Sequence, residues 1–224
     1  MRRGFLATVI FGVLGLAVLV NLGLWQLRRL PVKEGEIARI EAMIGDAPVT
    51  LPDEIDPEDD KYRPVSLTGE IWAEELHVLV STRDWGAGFR IISPMVLDDG
   101  RRVMVDRGYV PTEAKEAARA TGRVEIIGNL HWPQERDRFT PDDDLEANYW
   151  YARDVDKMAE ALDTAPILVI SKTDLGDGVA PLPVTTHNIP NNHLSYAIQW
   201  FLFAAVWLGM TSALAWRMRA TKRV

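Results

Sequence analysis

Two stretches without a charged residue lie near the ends of the chain, at 5–27 and 194–216, and each is 23 residues long. A helix rises about 1.5 Å per residue, so each stretch would be roughly 34 Å long, enough to cross a bilayer core of about 30 Å. A cleaved signal peptide has a shorter apolar core and a small-residue cleavage site, which the first stretch lacks. The pattern predicts two transmembrane helices, at 5–27 and 191–216.

Between these stretches, short apolar runs alternate with turn residues, which is typical of strands. Strands are predicted at 65–71, 76–81, 89–97, 102–106, 124–131, 149–152 and 167–171. Helical spacing predicts that the first helix continues over 34–44 and that short helices form at 112–121, with Thr112 as N-cap, and at 155–162. The pattern therefore predicts an α+β domain whose mainly antiparallel sheet could close as a barrel.

Charge divides the chain in the same way. Residues 1–27 and 193–224 hold no Asp or Glu, whereas the middle holds all 32 acidic residues and 19 of the 25 basic ones. An acidic middle argues against nucleic-acid binding, which needs a basic face. The basic residues of the two ends are Arg2, Arg3, Arg217, Arg219, Lys222 and Arg223. By the positive-inside rule we expect cytoplasmic ends at 1–4 and 217–224, with 28–190 as a periplasmic domain.

The chain has no cysteine, so thiolate ligation of copper, c-type haem attachment and iron–sulfur clusters are excluded. No Arg- and Ser-rich transit peptide precedes the first helix, and we therefore expect a multi-pass protein of the bacterial inner (cytoplasmic) membrane. Arg28, Arg29 and Lys33 lie just outside the first helix and run against the positive-inside rule, which suggests that they have a use there.

Enzyme motifs are missing from the sequence. There is no G-x-S-x-G, H-E-x-x-H or phosphate-binding loop. The run 142–146 is acidic but lacks the alternating ligands and central glycine of a calcium loop, so a solvated loop is expected. His77, His131 and His187 have no ligand-like spacing and are expected to be structural.

His193 has a different setting, at the start of the second apolar helix. Helical spacing places Tyr196, Ala197, Trp200 and Phe201 on its side. The positive end of the helix dipole disfavours an imidazolium, which leaves a neutral nitrogen for a metal, and the aromatic rings could pack on a planar macrocycle. The alternative is a helix-end histidine satisfied by lipid headgroups and water.

The exit of the first helix, 25–29, also has two interpretations. Trp25, Arg28 and Arg29 could be an interfacial anchor. They could equally place two guanidinium groups where carboxylates bind. Small residues predict where the two helices pack, with Gly4, Thr8 and Gly12 on the first helix and Gly209 and Ala213 on the second.

Six elements of the sequence are distinctive in combination: Gly23-Leu24-Trp25-Gln26-Leu27-Arg28-Arg29-Leu30, Gly69, the segment 88–94, Val105-Asp106-Arg107-Gly108-Tyr109-Val110-Pro111, Tyr149-Trp150-Tyr151-Ala152-Arg153-Asp154 and Asn191-Asn192-His193-Leu194-Ser195-Tyr196-Ala197-Ile198-Gln199-Trp200-Phe201. Together they resemble the surfeit locus protein 1 family of cytochrome c oxidase assembly factors. The resemblance covers nearly the whole chain in order. Asp106, Tyr109 and Gln199 depart from the more usual Asn, Trp and Thr.

The resemblance implies a two-helix membrane chaperone without enzymatic activity, which binds haem a or a related haem and supports its insertion into subunit I of a haem-copper oxidase. His193 would be the axial ligand, Tyr196, Trp200 and Trp25 would flank the ring, and Arg28 or Arg29 would pair with the propionates. The expected partners are subunit I, the enzymes of haem a synthesis and the lipid bilayer. The alternatives are a scaffold that docks on subunit I without touching haem, and a membrane-tethered periplasmic enzyme.

Overall fold

The computed structural model describes residues 2–187 and 189–220. Its helices are α1 (Arg2–Gly45), α2 (Val155–Leu162) and α3 (His193–Ala220). The chain forms two units, Met1–Arg39 with Thr186–Val224 and Ile40–Thr185. The segments predicted to be cytoplasmic, 1–4 and 217–224, include Met1 and 221–224, which lie outside the described residues.

Among the described residues, α1 and α3 are long and apolar enough to cross a membrane. Both predicted spans therefore correspond to helices, although α3 begins at His193 rather than at 191. The helices predicted at 5–27 and 34–44 are joined into one, because α1 continues through Pro31. A proline inside a helix removes one backbone hydrogen bond and costs about 3 kcal/mol.

The two long helices pack through a seam of residues spaced three or four apart, close to the heptad spacing of left-handed helix pairs. On α1 the seam includes Thr8, Gly12, Gly15, Leu19, Gly23 and Gln26, and on α3 it includes Ala197, Trp200, Ala204, Trp207 and Thr211. The helices run antiparallel, because Gly12 faces Thr211 whereas Gly23 faces Phe201.

Glycines set the distance between α1 and α3. A Cβ atom on Gly15 would lie 2.5 Å from the ring of Trp207, and one on Gly23 would lie 2.8 Å from the ring of Phe201. The indole Nε1 of Trp207 donates to the carbonyl of Gly12 at 2.9 Å. Such close backbone approach is how small residues drive helix association in membranes.

The predicted packing ridge is confirmed on α1 and wrong on α3. Thr8 Oγ1 lies 3.5 Å from the sulfur of Met218, and Gly12 is buried in the seam. A Cβ on Gly209 would meet nothing within 4 Å, and Ala213 is exposed. Both faces of α3 carry small residues, so small size alone did not identify the face that packs.

The second unit is a sheet that closes on itself. Within the described residues its strands are β1 (Val49–Thr50), β2 (Pro64–Ile71), β3 (Leu76–Thr82), β4 (Gly86–Leu97), β5 (Arg102–Pro111), β6 (Gly122–Leu130) and β7 (Leu168–Ser171). The order is β1-β2-β6-β7-β5-β4-β3, and β2 also pairs with β4. Five strands therefore form a barrel in which only β5 and β7 are parallel, which confirms the predicted, mainly antiparallel barrel.

Alternation along the strands builds the barrel interior. Its buried side chains include Val65, Leu67, Ile71, Met95, Val103, Val105, Ile126, Leu130 and Val169. The residues that alternate with some of these, Met104 and Leu168, face outward, where they pack against Met158 and Leu162 of α2. Each such buried side chain contributes about 1.5–3 kcal/mol of hydrophobic free energy, and α2 covers one side of the barrel.

Two glycines allow the barrel to close. Gly69 lies at the β2–β4 junction, where a Cβ atom would be 2.2 Å from the carbonyl oxygen of Val96. Gly108 has a φ of 123° and lies where the pairing of β4 with β5 shifts register between Ile91 and Ile92. This bulge lets β5 run on to Pro111, beyond its predicted end at 106.

Two predicted elements are wrong. Residues 112–121 contain only a short 3₁₀ turn, Thr112–Ala114, and Thr112 is not a cap. The guanidinium of Arg119 donates to the carbonyls of Ala114 and Lys115, which are the acceptors a helix would need. Residues 149–152 make only isolated bridges, one of them between Val78 and Trp150.

A buried charge network joins the barrel to the segment before α2. The carboxylate of Asp106, with 0% of its side chain exposed, accepts hydrogen bonds from Arg90 at 2.7 Å and from Arg153 at 3.1 Å. Arg153 also pairs with Glu135. Removing one member of a buried pair typically costs about 3–5 kcal/mol, so the network holds these segments together.

His131 adjoins this network. Its ring stacks on Tyr62 at a centroid distance of 5.3 Å, and its backbone N–H donates to Leu168 at 3.0 Å. Burial, followed by the positive charge of Arg153, lowers the pKa of His131 to about 4. The folded protein therefore holds this imidazole neutral at pH values where an unfolded chain would already bind the proton.

We expect the stability of the sheet unit to fall in mild acid because of His131. His131 takes up a proton near pH 6.5 in the unfolded chain and only near pH 4 in the folded protein. Its contribution to the free energy of unfolding is therefore present above pH 6.5 and is lost as the pH falls toward 4. The free energy of unfolding should be about 2 kcal/mol lower at pH 5 than at pH 7. Denaturant titrations of the full chain in detergent, followed by tryptophan fluorescence, measure this change. His131→Gln should remove most of it, and an unchanged pH slope in that variant would contradict the assignment.

Candidate haem site on the helix pair

His193 is the first residue of α3 and is half-buried. The residues before it enter the helix through Asn192, whose carbonyl accepts the N–H of Tyr196 at 3.0 Å. The side-chain oxygen of Asn191 is buried and has no hydrogen-bond partner among the described residues. The imidazole thus lies at the polar end of an otherwise apolar helix.

The imidazole is held by a residue of the other helix. Its Nδ1 atom lies 2.7 Å from the amide oxygen Oε1 of Gln26, which is only 9% exposed. An amide oxygen accepts and cannot donate, so Nδ1 carries the hydrogen. In the neutral imidazole the other nitrogen, Nε2, then keeps its lone pair, and this is the form that binds metals.

Sequence reasoning did not select Gln26. It was seen only as part of the segment 23–30, between the two candidate residues Trp25 and Arg28. A signal was present, because Gln26 lies seven residues after Leu19 and fourteen after Gly12, in the seam of α1. A polar residue at a seam position of an apolar helix needs a partner, and His193 is that partner.

One flank of the helix pair is closed by packing. Gly23 and Phe201 are in contact there. At about 100° per residue, both are rotated in the same sense, by roughly 60° and 80°, away from Gln26 and His193 respectively. In an antiparallel helix pair, residues that are rotated in the same sense around their own helix axes lie on the same flank of the pair. The contact between Gly23 and Phe201 therefore marks the flank that is closed.

The opposite flank carries the candidate aromatic residues, and we call Trp25, Arg29, Tyr196 and Trp200 the aromatic flank. On α3, Tyr196 and Trp200 are rotated roughly 60° and 20° from His193, in the sense opposite to Phe201. On α1, Trp25 and Arg29 are rotated from Gln26 in this same opposite sense. Tyr196 is 49% exposed, Trp25 is 50% exposed and Trp200 is half-buried. The ring faces on this flank are therefore open to a ligand or to lipid.

The two arginines differ in position. Both are exposed, and neither makes a hydrogen bond or an ion pair among the described residues. Arg29 is rotated roughly 60° from Gln26 and lies on the aromatic flank, whereas Arg28 is rotated roughly 160° and points away from the seam. The placement separates two residues that the sequence treated as equivalent.

The side chains of these residues are of the chemical kinds that can hold a haem. A haem can be held by an axial histidine nitrogen, flat apolar contacts and cations for its propionates. His193 could supply the nitrogen, with its other ring nitrogen already hydrogen-bonded, the aromatic flank could supply the contacts, and Arg29 could supply the cation.

His77 and the acidic loop lie in the sheet unit and have structural surroundings, and His77 is buried, with Nε2 2.7 Å from Glu75. His187 belongs instead to the unit of the helix pair and is exposed. In the acidic loop, Asp143 accepts the N–H of Tyr151 at 2.9 Å and pairs with Arg136. Within the part of the chain that the structure describes, no group of three His, Asp or Glu side chains could hold a metal ion.

The sheet unit also has a cavity of about 550 Å³ beside α2, which sequence reasoning missed. Leu145 and Trp150 give it apolar walls, and Asp142, Lys157 and Glu160 lie around it. The cavity thus combines apolar walls with charged side chains of both signs.

Comparison with known proteins agrees with the resemblance found in the motifs. A "SURF1-like protein" of Monosiga brevicollis is 32% identical over 214 residues, which cover 86% of this chain and 82% of the relative. "Surfeit locus protein 1" of Rattus norvegicus is 28% identical over 208 residues, covering 83% and 68%, and that of Homo sapiens is 28% identical over 209 residues, covering 83% and 70%.

The sequence model of the SURF1 family matches residues 13–205. This match includes most of the α1 seam, the whole barrel, and α3 from His193 to Ala205, so it covers the barrel unit and the aromatic flank together. The chain belongs to the SURF1 family.

Proposed function

We propose that this protein is a membrane-anchored assembly factor for a haem-copper terminal oxidase, which binds haem a, or a related haem, and supports its insertion into subunit I. The membership of the SURF1 family supports the assembly role, through the resemblance to the family of cytochrome c oxidase assembly factors. Haem would be a cargo received from the enzymes of haem a synthesis, and the protein would bind it without catalysing a reaction.

The observation that carries the haem part is the hydrogen bond from His193 Nδ1 to Gln26 Oε1. A histidine that binds a metal through one nitrogen almost always donates its other N–H to an acceptor. His193 has this arrangement without any ligand present, in a seam where a lone polar side chain would be costly. The acceptor is buried, so water does not compete for it.

The residues of the aromatic flank would divide the task of binding. His193 Nε2 would coordinate the iron. Tyr196, Trp200 and Trp25 would cover the apolar faces and edge of the ring, and Arg29 would hold the propionates at the polar end of the helices.

A scaffold that docks on subunit I without binding haem is the second candidate function. The cavity beside α2 favours it, because its apolar walls, Leu145 and Trp150, and its charged lining, Asp142, Lys157 and Glu160, offer a surface for a segment of another protein. Docking through the sheet unit is also compatible with haem binding by the helix pair. The two proposals differ in what His193 does.

For location we propose the bacterial inner membrane, with both chain ends in the cytoplasm and the sheet unit in the periplasm. The charge pattern supports this orientation, since the ends are basic and free of acidic residues. A reporter that is active only outside the cytoplasm should be active when inserted in the loop 53–59 and inactive when fused after Ala220. The reverse pattern would contradict the orientation.

His193→Ala should weaken haem a binding by at least about 100-fold, because losing the ligand itself should cost more than the roughly 10- to 100-fold typical of its supporting residues. Absorption spectra of detergent-purified protein, produced together with haem a synthesis, measure the bound haem through the Soret band. His187→Ala is the matched control, since His187 is exposed, and it should keep the wild-type spectrum.

The same preparations separate the two candidate functions. Colourless wild-type protein that still co-purifies with subunit I would favour the scaffold. An unchanged spectrum and stoichiometry in His193→Ala would show that His193 is not the axial ligand.

Arg29→Gln should lower haem affinity by about threefold to tenfold, because it removes a charge-assisted contact to a carboxylate at an exposed site. Arg28→Gln is the matched control and should change affinity much less, since Arg28 points away from the aromatic flank. Haem titrations of both variants in the same detergent provide the comparison, with membrane levels checked by immunoblot. Equal effects of the two substitutions on haem affinity would contradict a specific role of Arg29 and would favour the interpretation of both arginines as membrane anchors.

A further inference from the structure

We propose that Gln26 is a positioning residue, which keeps His193 in the tautomer and orientation that present Nε2 to the haem iron. The haem part of this inference rests on the proposed function. The tautomer part does not, because it concerns the protein without a ligand. The starting point is the 2.7 Å distance between Gln26 Oε1 and His193 Nδ1.

The seam itself does not need a glutamine at this position. Leu19 occupies the equivalent position one heptad earlier, and Ala197 and Ala204 lie in the same seam on α3. A leucine at 26 would pack as well as the stem of the glutamine and would avoid burying an amide. The amide of Gln26 therefore has a use other than filling space, and His193 is the group it contacts.

The contact selects one of two forms of the imidazole. A neutral histidine carries its hydrogen on either Nδ1 or Nε2, and the hydrogen bond made by one nitrogen decides which is free. Because Gln26 offers an oxygen to Nδ1, the hydrogen stays there and Nε2 keeps the lone pair. Without the acceptor, part of the population would carry its hydrogen on Nε2 and could not coordinate iron until the hydrogen moved.

The contact also fixes the direction of the ring. Nδ1 and Nε2 lie at different points of a rigid five-membered ring, so anchoring Nδ1 in the seam directs Nε2 away from Gln26. A ligand atom that is already oriented loses less freedom on binding. Supporting residues of this kind typically change metal affinity by about 10- to 100-fold.

A purely structural role for Gln26, as an interhelical hydrogen bond, is the competing explanation. Under this explanation, substitution of Gln26 would make the helix pair less stable. The hydrogen bond would select no particular tautomer of His193 and would not change the reduction potential of a bound haem iron. The measurement must therefore report on the ring of His193 itself.

The first experiment uses the haem-free full chain in nanodiscs with ¹⁵N-labelled histidine, and the signals of His193 are assigned by their loss in His193→Ala. The ¹⁵N shifts should show the Nδ1–H tautomer in the wild type. Gln26→Leu should lose this preference, and Gln26→Glu should retain it because a carboxylate also accepts from Nδ1. Gln199→Leu removes an exposed glutamine of α3 and should change nothing. A wild type in the Nε2–H form, or an unchanged tautomer in Gln26→Leu, would overturn the proposal.

The second experiment adds haem a to the wild type, Gln26→Leu, Gln26→Glu and Gln199→Leu. Gln26→Leu should bind haem about 10- to 100-fold more weakly, whereas Gln26→Glu should retain it with a more negative reduction potential, because an anionic acceptor makes the imidazole a stronger donor. Unchanged affinity in Gln26→Leu together with an unchanged potential in Gln26→Glu would overturn the role of Gln26 toward haem. If the wild type binds no haem, the proposed function fails, and the tautomer measurement still decides whether Gln26 positions His193.

Discussion

The close approach of α1 and α3 at their glycines is the constraint on which the candidate site depends. Gly23 lies one turn from Gln26, and a Cβ atom there would meet the ring of Phe201 at 2.8 Å. Helices pushed apart at that level could not keep Gln26 and His193 at 2.7 Å. The polar pair is thus made possible by apolar packing beside it. The close packing at Gly23 and the hydrogen bond of Gln26 therefore depend on the same few residues of α1.

Buried ion pairs hold the segments of the sheet unit together, whereas close packing at small residues holds the two long helices together. Asp106 belongs to the motif Val105 to Pro111, and Arg153 belongs to the motif Tyr149 to Asp154, and the two meet in one ion pair. Tyr109, from the first motif, donates its hydroxyl hydrogen to the carbonyl of Trp85 at 2.9 Å. The segments of the sheet unit that resemble the SURF1 family therefore hold the barrel together. The segments of the helix pair that resemble it lie around His193.

Local pattern was enough to predict the five strands of the barrel, β3 and the long helices, since Val, Ile and Leu alternate in 65–71 and no charge interrupts 194–216. It failed at 112–121, where the guanidinium of Arg119 donates to the carbonyls of Ala114 and Lys115 that a helix would need as acceptors. For the site, His193 could be found from its place at a helix start. Gln26 could be noticed only as a polar residue at the spacing of the α1 seam, and its pairing with His193 needed the structure. Choosing between the two faces of α3 also required the partner helix, since Gly209 and Ala204 are both small.

The position of β7 has a consequence for how the chain is made. β7 lies between β5 and β6, both of which precede it in sequence. Until residues 168–171 have left the ribosome, β5 and β6 each have an edge without its final neighbour, and open edges invite pairing with other chains. A product that stops before Leu168 would have α1 and six strands but an open barrel. Closure is thus a late event in synthesis, separated only by residues 172–192 from the helix that carries His193.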